Sequence, residues 1–186
     1  MSEIHQILET FVKRWLEHQR ANGINLDIDY DTQWPSPCYI GSDRLADGDP
    51  CSWQPVAQDS HTMFERLGTA LETQIHPDIV AYYSCFWSEH LRATCNNGEL
   101  ELLQLWNEED LERLRSNLVG HAMSKQKQRQ PLSLFFALTL PDEGMLCIDN
   151  DSGEVWYELP GKKPIRKIAD SLSDFLKTLS PADHQS

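Results

Sequence analysis

The sequence lacks any apolar run that could cross a bilayer. Leu134-Phe135-Phe136-Ala137-Leu138, among the longest, is strand-sized, whereas a spanning helix needs about 20 residues. Met1-Ser2-Glu3-Ile4-His5 has neither the basic nor the apolar region of an export signal. Cys-x-x-Cys pairs are absent, and the five cysteines are irregularly spaced; they are expected to be reduced, inert thiols of an intracellular chain. There is no Gly-x-Ser-x-Gly elbow, no phosphate-cradling Gly-x-x-x-x-Gly-Lys loop and no Gly-x-Gly-x-x-Gly turn, so the motifs that would announce a hydrolase, a nucleotidase or a dinucleotide enzyme are missing. Internal repeats and low-complexity tracts are missing too. Bases are scarce: 16 Lys and Arg stand against 29 Asp and Glu, a net charge of −13. A nucleic-acid backbone or an anionic lipid surface is therefore a poor primary partner for the chain as a whole.

What is present suits one folded domain. The chain has 186 residues, 40% of them apolar, and six tryptophans, enough for a sizeable core. One domain is expected over residues 1–181, with 182–186 as a C-terminal tail. The charge is uneven. Residues 1–60 hold ten acids and four bases, residues 61–120 the same, and residues 121–186 nine acids and eight bases. One region should be strongly negative and the remainder mild, with basic clusters at Lys125, Lys127 and Arg129 and at Lys162, Lys163, Arg166 and Lys167.

Ile4, Ile7, Leu8, Phe11, Val12, Trp15 and Leu16 recur at helical spacing and predict an amphipathic helix ending by Gly23. Residues 24–60, rich in Asp, Pro, Ser and Gly, predict a long ordered loop with one or two short strands, held by burial of Trp34, Tyr39, Ile40 and Trp53. A short helix with Phe64, Leu67 and Leu71 inward follows, then a third opened by Pro77. Leu91–Cys95 and Glu99–Leu105 predict a hairpin with Asn97-Gly98 in a type I′ turn. Asn107 should cap a helix with Leu111, Leu114, Leu118 and Met123 inward, running into a polar linker at Ser124–Gln130. Three strands are expected at Leu132–Thr139, Met145–Ile148 and Val155–Leu159, separated by Pro141–Gly144 and Asp149–Gly153 turns. A last helix starts at Ser171 and buries Leu172, Phe175, Leu176 and Leu179. The order predicts an α+β fold, an antiparallel sheet with helices packed against it.

Candidate chemistry is sparse. Asp27-x-Asp29-x-Asp31 opens like a calcium loop, but Thr32 stands where that loop needs Gly and Cys38 where it needs Glu. No ligand set for zinc is apparent, and no metal, cofactor or catalytic residue is expected. A Cys38–His121 dyad can be imagined, with nothing to place the two in contact. The acidic surface is left to explain. Glu65 and Glu72 are seven residues apart on one helix face; Asp43 sits in the irregular segment before it, and Asp78 and Glu89 bracket the next element. For each residue taken singly, a solvated face that keeps the protein soluble is an adequate reading. For Glu108, Glu109 and Asp110 the helix dipole suffices. The functional alternative is that Asp43, Glu65, Glu72, Asp78 and Glu89 line a surface for a basic partner, with Trp53 or Trp34 as its desolvated anchor.

Pro35-Ser36-Pro37-Cys38, Trp53-Gln54-Pro55 and Ile75-His76-Pro77 resemble the Syd family. So do the run from Leu102 to Asp110, Asn117-Leu118-Val119-Gly120-His121, Ser152-Gly153-Glu154-Val155 and Ala169–Leu176. The resemblance implies a SUKH-like α+β fold and a cytosolic protein, peripheral at the cytoplasmic side of the inner membrane. It also implies interaction with SecY, the translocase channel, by binding uncomplexed SecY or restraining the translocase. Membrane association would then be indirect, through SecY, with no nucleic acid involved and no catalytic residues carried over. The alternative within the same fold is an immunity-type SUKH protein that neutralises a basic toxin. More distant rivals are a nucleic-acid mimic and an enzyme using Cys38 or His121.

Overall fold

Apolar periodicity produces the first element. A computed structural model describes residues 2–142 and 144–185, and in it α1 spans Glu3–Ala21, with the Ser2 side chain accepting from the His5 amide as N-cap. Ile4, Leu8, Phe11, Val12 and Trp15 are buried along one face. So is Gln19, which breaks the apolar pattern. Its side chain donates to the Ala182 carbonyl (2.8 Å) and accepts from the His184 amide (2.9 Å), so hydrogen bonds replace apolar burial there.

Residues 24–60 hold more strand than expected: β1 (Asp27–Asp29), β2 (Tyr39–Ile40), β3 (Pro50–Trp53) and β4 (Val56–Ala57), with a 3-10 turn at Ser42–Arg44. β1, β3 and β2 form a small antiparallel sheet in that order. Strands of two to four residues are too short to show a period of two, which is why alternation did not reveal them. Ile40 is 48% exposed, correcting its expected burial. α2 (Thr62–Leu71) and α3 (Pro77–Tyr83) follow, the latter with Pro at its first turn. β5 (Phe86–Trp87) pairs with β4.

β6 (Leu91–Cys95) and β7 (Gly98–Leu102) make the expected hairpin with a different turn. Cys95 pairs with Gly98, so Asn96 and Asn97 are the turn residues. Neither has a positive φ, which falls instead on Gly98 at 124°; the type I′ assignment is corrected. α4 runs Glu108–Lys127, capped by Asn107, whose Oδ1 accepts from the Asp110 amide (2.9 Å). It continues through much of the expected linker because Lys125 turns inward to Glu158. Met123, expected inside, is 53% exposed, and Ala122 and Lys125 take the buried positions.

β8 (Ser133–Leu140), β9 (Met145–Asp149) and β10 (Val155–Glu158) form the meander. Of the expected turn at Pro141–Gly144, Glu143 lies outside the described residues. β11 (Arg166–Ala169), hidden in a basic stretch, and β12 (Ser180–Pro181) complete a seven-stranded antiparallel sheet ordered β11-β10-β9-β8-β7-β6-β12. Between them α5 (Leu172–Lys177) buries Leu172, Phe175 and Leu176, with the Asp174 amide donating to Ser171 Oγ (3.1 Å). α1 meets α3, α5 and β12, while α4 lies against α2 and β8. This is the expected α+β architecture in one domain.

Candidate functional site

The five nominated carboxylates sit on separate elements. Asp43 is exposed in the 3-10 turn, Glu65 is exposed on α2, and Glu72 is exposed at the end of α2 with φ 51°. Asp78 is half-buried in the first turn of α3, and Glu89 is half-buried between β5 and β6. Among the described residues, none of the five has a lysine, arginine or histidine partner within 4.0 Å. The cations that form salt bridges among the described residues do so with other acids. Glu112 holds Arg66 and Arg115, Glu99 holds Arg92, Glu154 and Asp170 share Lys167, and Glu3 holds Lys177.

Two neighbourhoods emerge. Glu65 lines a depression of about 520 Å³ with His61, Phe64, Ile75 and Val80. Glu89 belongs elsewhere. Burial pushes its carboxyl above the usual range; His90 pulls it down, and Asp110 and Glu101 push it up again. Asp110 lies in the first turn of α4, its Oδ2 accepting from the Trp106 amide (3.0 Å). The adjoining Glu108 and Glu109 rim a second depression, about 460 Å³, with Pro35, Ser36, Pro37, Trp87 and Asn107. Two hydrogen bonds build that wall: Asn107 Nδ2 donates to the Pro35 carbonyl (2.9 Å), and Ser36 Oγ donates to the Trp106 carbonyl (2.6 Å). Glu108, Glu109 and Asp110 are thus site candidates that sequence reasoning set aside, and Glu101 is one that it did not single out. The helix dipole explained the first three locally, and no local signal joins Pro35 to Asn107.

Trp53 is corrected. It is 2% exposed, its ring set against Trp15 (6.1 Å between centroids), Trp106 (5.9 Å) and His184 (5.4 Å). It serves the core and offers no surface to a partner. Trp34 is half-buried, with the Arg113 guanidinium 4.2 Å over its ring. Trp87 is the half-buried tryptophan that lines the second depression.

The imagined dyad is replaced by another grouping. His121 lies with Cys147 and Glu158, donor atoms within 4.8 Å of one another, and not with Cys38. His121 Nε2 is 3.1 Å from Ser133 Oγ, which donates to Glu158 Oε2 (3.2 Å). Burial holds the imidazole below its ordinary pKa and the Cys147 thiol well above its own. The donors could in principle surround one ion. Lys125 Nζ stands 2.8 Å from Glu158, however, and already supplies the positive charge that a cation would bring, so the residues do not fit a resident metal. Cys38 is buried, its thiol pushed up to about 11 by desolvation, the reverse of an activated nucleophile. Asp149 Oδ1 accepts from the Asp151 and Ser152 amides and from Ser152 Oγ, the geometry of a turn and not of an ion loop.

Motifs distant in sequence also meet in space. Asn150 accepts from the His76 amide (2.9 Å) and donates to the Gln74 carbonyl (2.9 Å), so the β9–β10 turn clasps the loop before α3. A Cβ on Gly153, where φ is 76°, would come within 2.7 Å of His76 Nε2, so glycine is required there. Ile75-His76-Pro77 and Ser152-Gly153-Glu154-Val155 are thus two halves of one contact, as are Pro35-Ser36-Pro37 and Trp106-Asn107.

Sheet and helices together make an acidic α+β domain whose five nominated acids are unpaired among the described residues. The family model for "Syd protein (SUKH-2)" matches residues 5–181, and the chain belongs to the Syd family. Relatives named Protein Syd come from Pseudoalteromonas atlantica, 38% identical over 97% of each chain, and from Alteromonas mediterranea, 38% identical over 94% of each. Another, from Colwellia psychrerythraea, is 40% identical over 88% of this chain and 85% of its own.

Proposed function

We propose that the protein binds basic cytoplasmic loops of the channel subunit SecY through its unpaired carboxylates, sequestering uncomplexed SecY or restraining the translocase. Asp43, Glu65, Glu72, Asp78 and Glu89 contribute, joined by Glu108 and Glu109 at the α4 depression. The observation that carries this reading is that, among the described residues, none of these acids has a lysine, arginine or histidine partner within 4.0 Å. Their field is free to act on a partner, and cytoplasmic loops of membrane proteins are enriched in Lys and Arg. Trp87, Pro35 and Pro37 add apolar surface between the acids. No helix among the described residues is long and apolar enough to cross a membrane. Recruitment to the cytoplasmic side of the inner membrane follows from the channel. The test is a pulldown from detergent-solubilised membranes at about 0.05 M and about 0.5 M salt, which bracket strong and weak screening. SecY retained at low salt and lost at high salt is the expected result, as is its loss from Glu65→Lys/Asp78→Lys and Glu108→Lys/Glu109→Lys proteins that stay folded. SecY retained equally by both variants rejects the reading.

A further inference from the structure

The two basic clusters of the sequence play no part in the acidic surface, yet the fold brings them to one place. Residues 113–141 and 159–169 contain no Asp or Glu, a pronounced exception in a chain of net charge −13. Two contacts bring these stretches together, one of them through Glu158, which immediately precedes the second. Lys125 Nζ in the last turn of α4 meets Glu158 at the end of β10 (2.8 Å), and a Cβ on Gly161 would sit 3.9 Å from Gln128 Nε2. Lys127 and Arg129 leave α4 at that point, and Lys162 and Lys163 stand on the turn after β10, closed by the Lys162 amide donating to the Leu159 carbonyl (3.0 Å). All four are exposed, and none makes a salt bridge among the described residues. The same two stretches carry Met123 and Ile165, each 53% exposed, two of the three large apolar side chains that face water among the described residues.

We infer that this end of the molecule rests on an anionic phospholipid surface, with Lys127, Arg129, Lys162 and Lys163 against the headgroups and Met123 and Ile165 inserted between them. Cations alone would equally suit a phosphodiester chain; exposed apolar side chains beside them gain nothing there and gain burial at a headgroup interface. The overall negative charge does not forbid the contact. At physiological ionic strength fields fade over about 8 Å, so acids farther than that from the headgroups are screened while cations touching them are not. The acidic faces are kept off the bilayer by the same repulsion, so the contact orients the protein. This inference goes beyond the channel reading and does not depend on it.

The test is co-sedimentation of the full chain with vesicles of phosphatidylcholine alone or with about one third phosphatidylglycerol, with no channel present. Binding is expected only to the anionic vesicles and is expected to fall as salt rises. Lys127→Glu/Lys162→Glu/Lys163→Glu should weaken it by at least about tenfold, each lysine being a substantial share of such attraction. Met123→Ser/Ile165→Ser should weaken it less, and both variants should melt like the parent because every substituted side chain is exposed. No binding to anionic vesicles at low salt overturns the inference. So does binding that survives the charge reversals, or single-stranded RNA displacing the vesicles with no loss of RNA binding in Met123→Ser/Ile165→Ser.

Discussion

Lys125 Nζ lies 2.8 Å from Oε2 of Glu158, and the two side chains are only 5% and 1% exposed. This pair ties the last turn of α4 to the end of β10 and draws helix through residues whose polarity suggests a linker. Removing one member strands a buried charge, whereas replacing both with apolar side chains of similar size need cost little. Lys125→Met should therefore lower stability by about 3–5 kcal/mol. The Lys125→Met/Glu158→Met double variant should recover most of that loss. Urea unfolding of the three proteins measures it, and a double variant no more stable than the single one would show the pair to be a net stabilising device.

Glu89 should weaken the fold when ionised. Burial lifts its native pKa above the ordinary 4.5, so the unfolded chain ionises first as pH rises. The unfavourable contribution is absent well below pH 4.5 and grows as pH rises from there through the raised native value. Glu89→Gln should thus raise the melting midpoint at pH 7, by up to about 4 °C for a domain of this size, and change it little at pH 3.5. The same variant should leave thermal stability less dependent on pH between those limits. Equal shifts at both pH values would contradict this sign.

The cysteines should separate cleanly by reactivity. Cys38, Cys51, Cys85 and Cys147 are buried and only Cys95 is half-exposed, while desolvation lifts the Cys38 thiol to about 11 and the Cys85 thiol to about 12. A native protein treated with a chromogenic disulfide at neutral pH should show one faster thiol, lost in Cys95→Ser. The others should lag by at least about tenfold, because few are thiolates and none is accessible. A fast reaction at Cys38 would restore the nucleophile that its burial argues against.

The long elements were legible in the sequence because each repeats a pattern over many residues. α1, β8 and α5 follow from apolar spacing and a capping serine, and Asn107 marks the start of α4. What stayed hidden depended on distant partners. The small β1-β3-β2 sheet has strands too short for a period to register, and β11 lies in a stretch whose lysines and arginine suggest solvent. Met123 and Lys125 exchanged expected roles because Glu158, 33 positions later in the chain, decides which of them turns inward. At the candidate site, Glu65 and Glu89 could be named from composition, but the wall that sets Glu108 and Glu109 beside Trp87 is made by Pro35 and Asn107. Trp53 was misjudged for the same reason: aromatic character announces an anchor, and only Trp15, Trp106 and His184 reveal that it anchors the interior.

Gln19, near the end of the first helix, grips Ala182 and His184, and that helix also lies against α5 and β12. An emerging nascent chain therefore displays α1's apolar stripe long before its covering segments have left the ribosome. Burial of the stripe is thus staged along the chain: Trp53 against Trp15 and α3 against α1 come first, and α5 with the Gln19 clasp completes the seal.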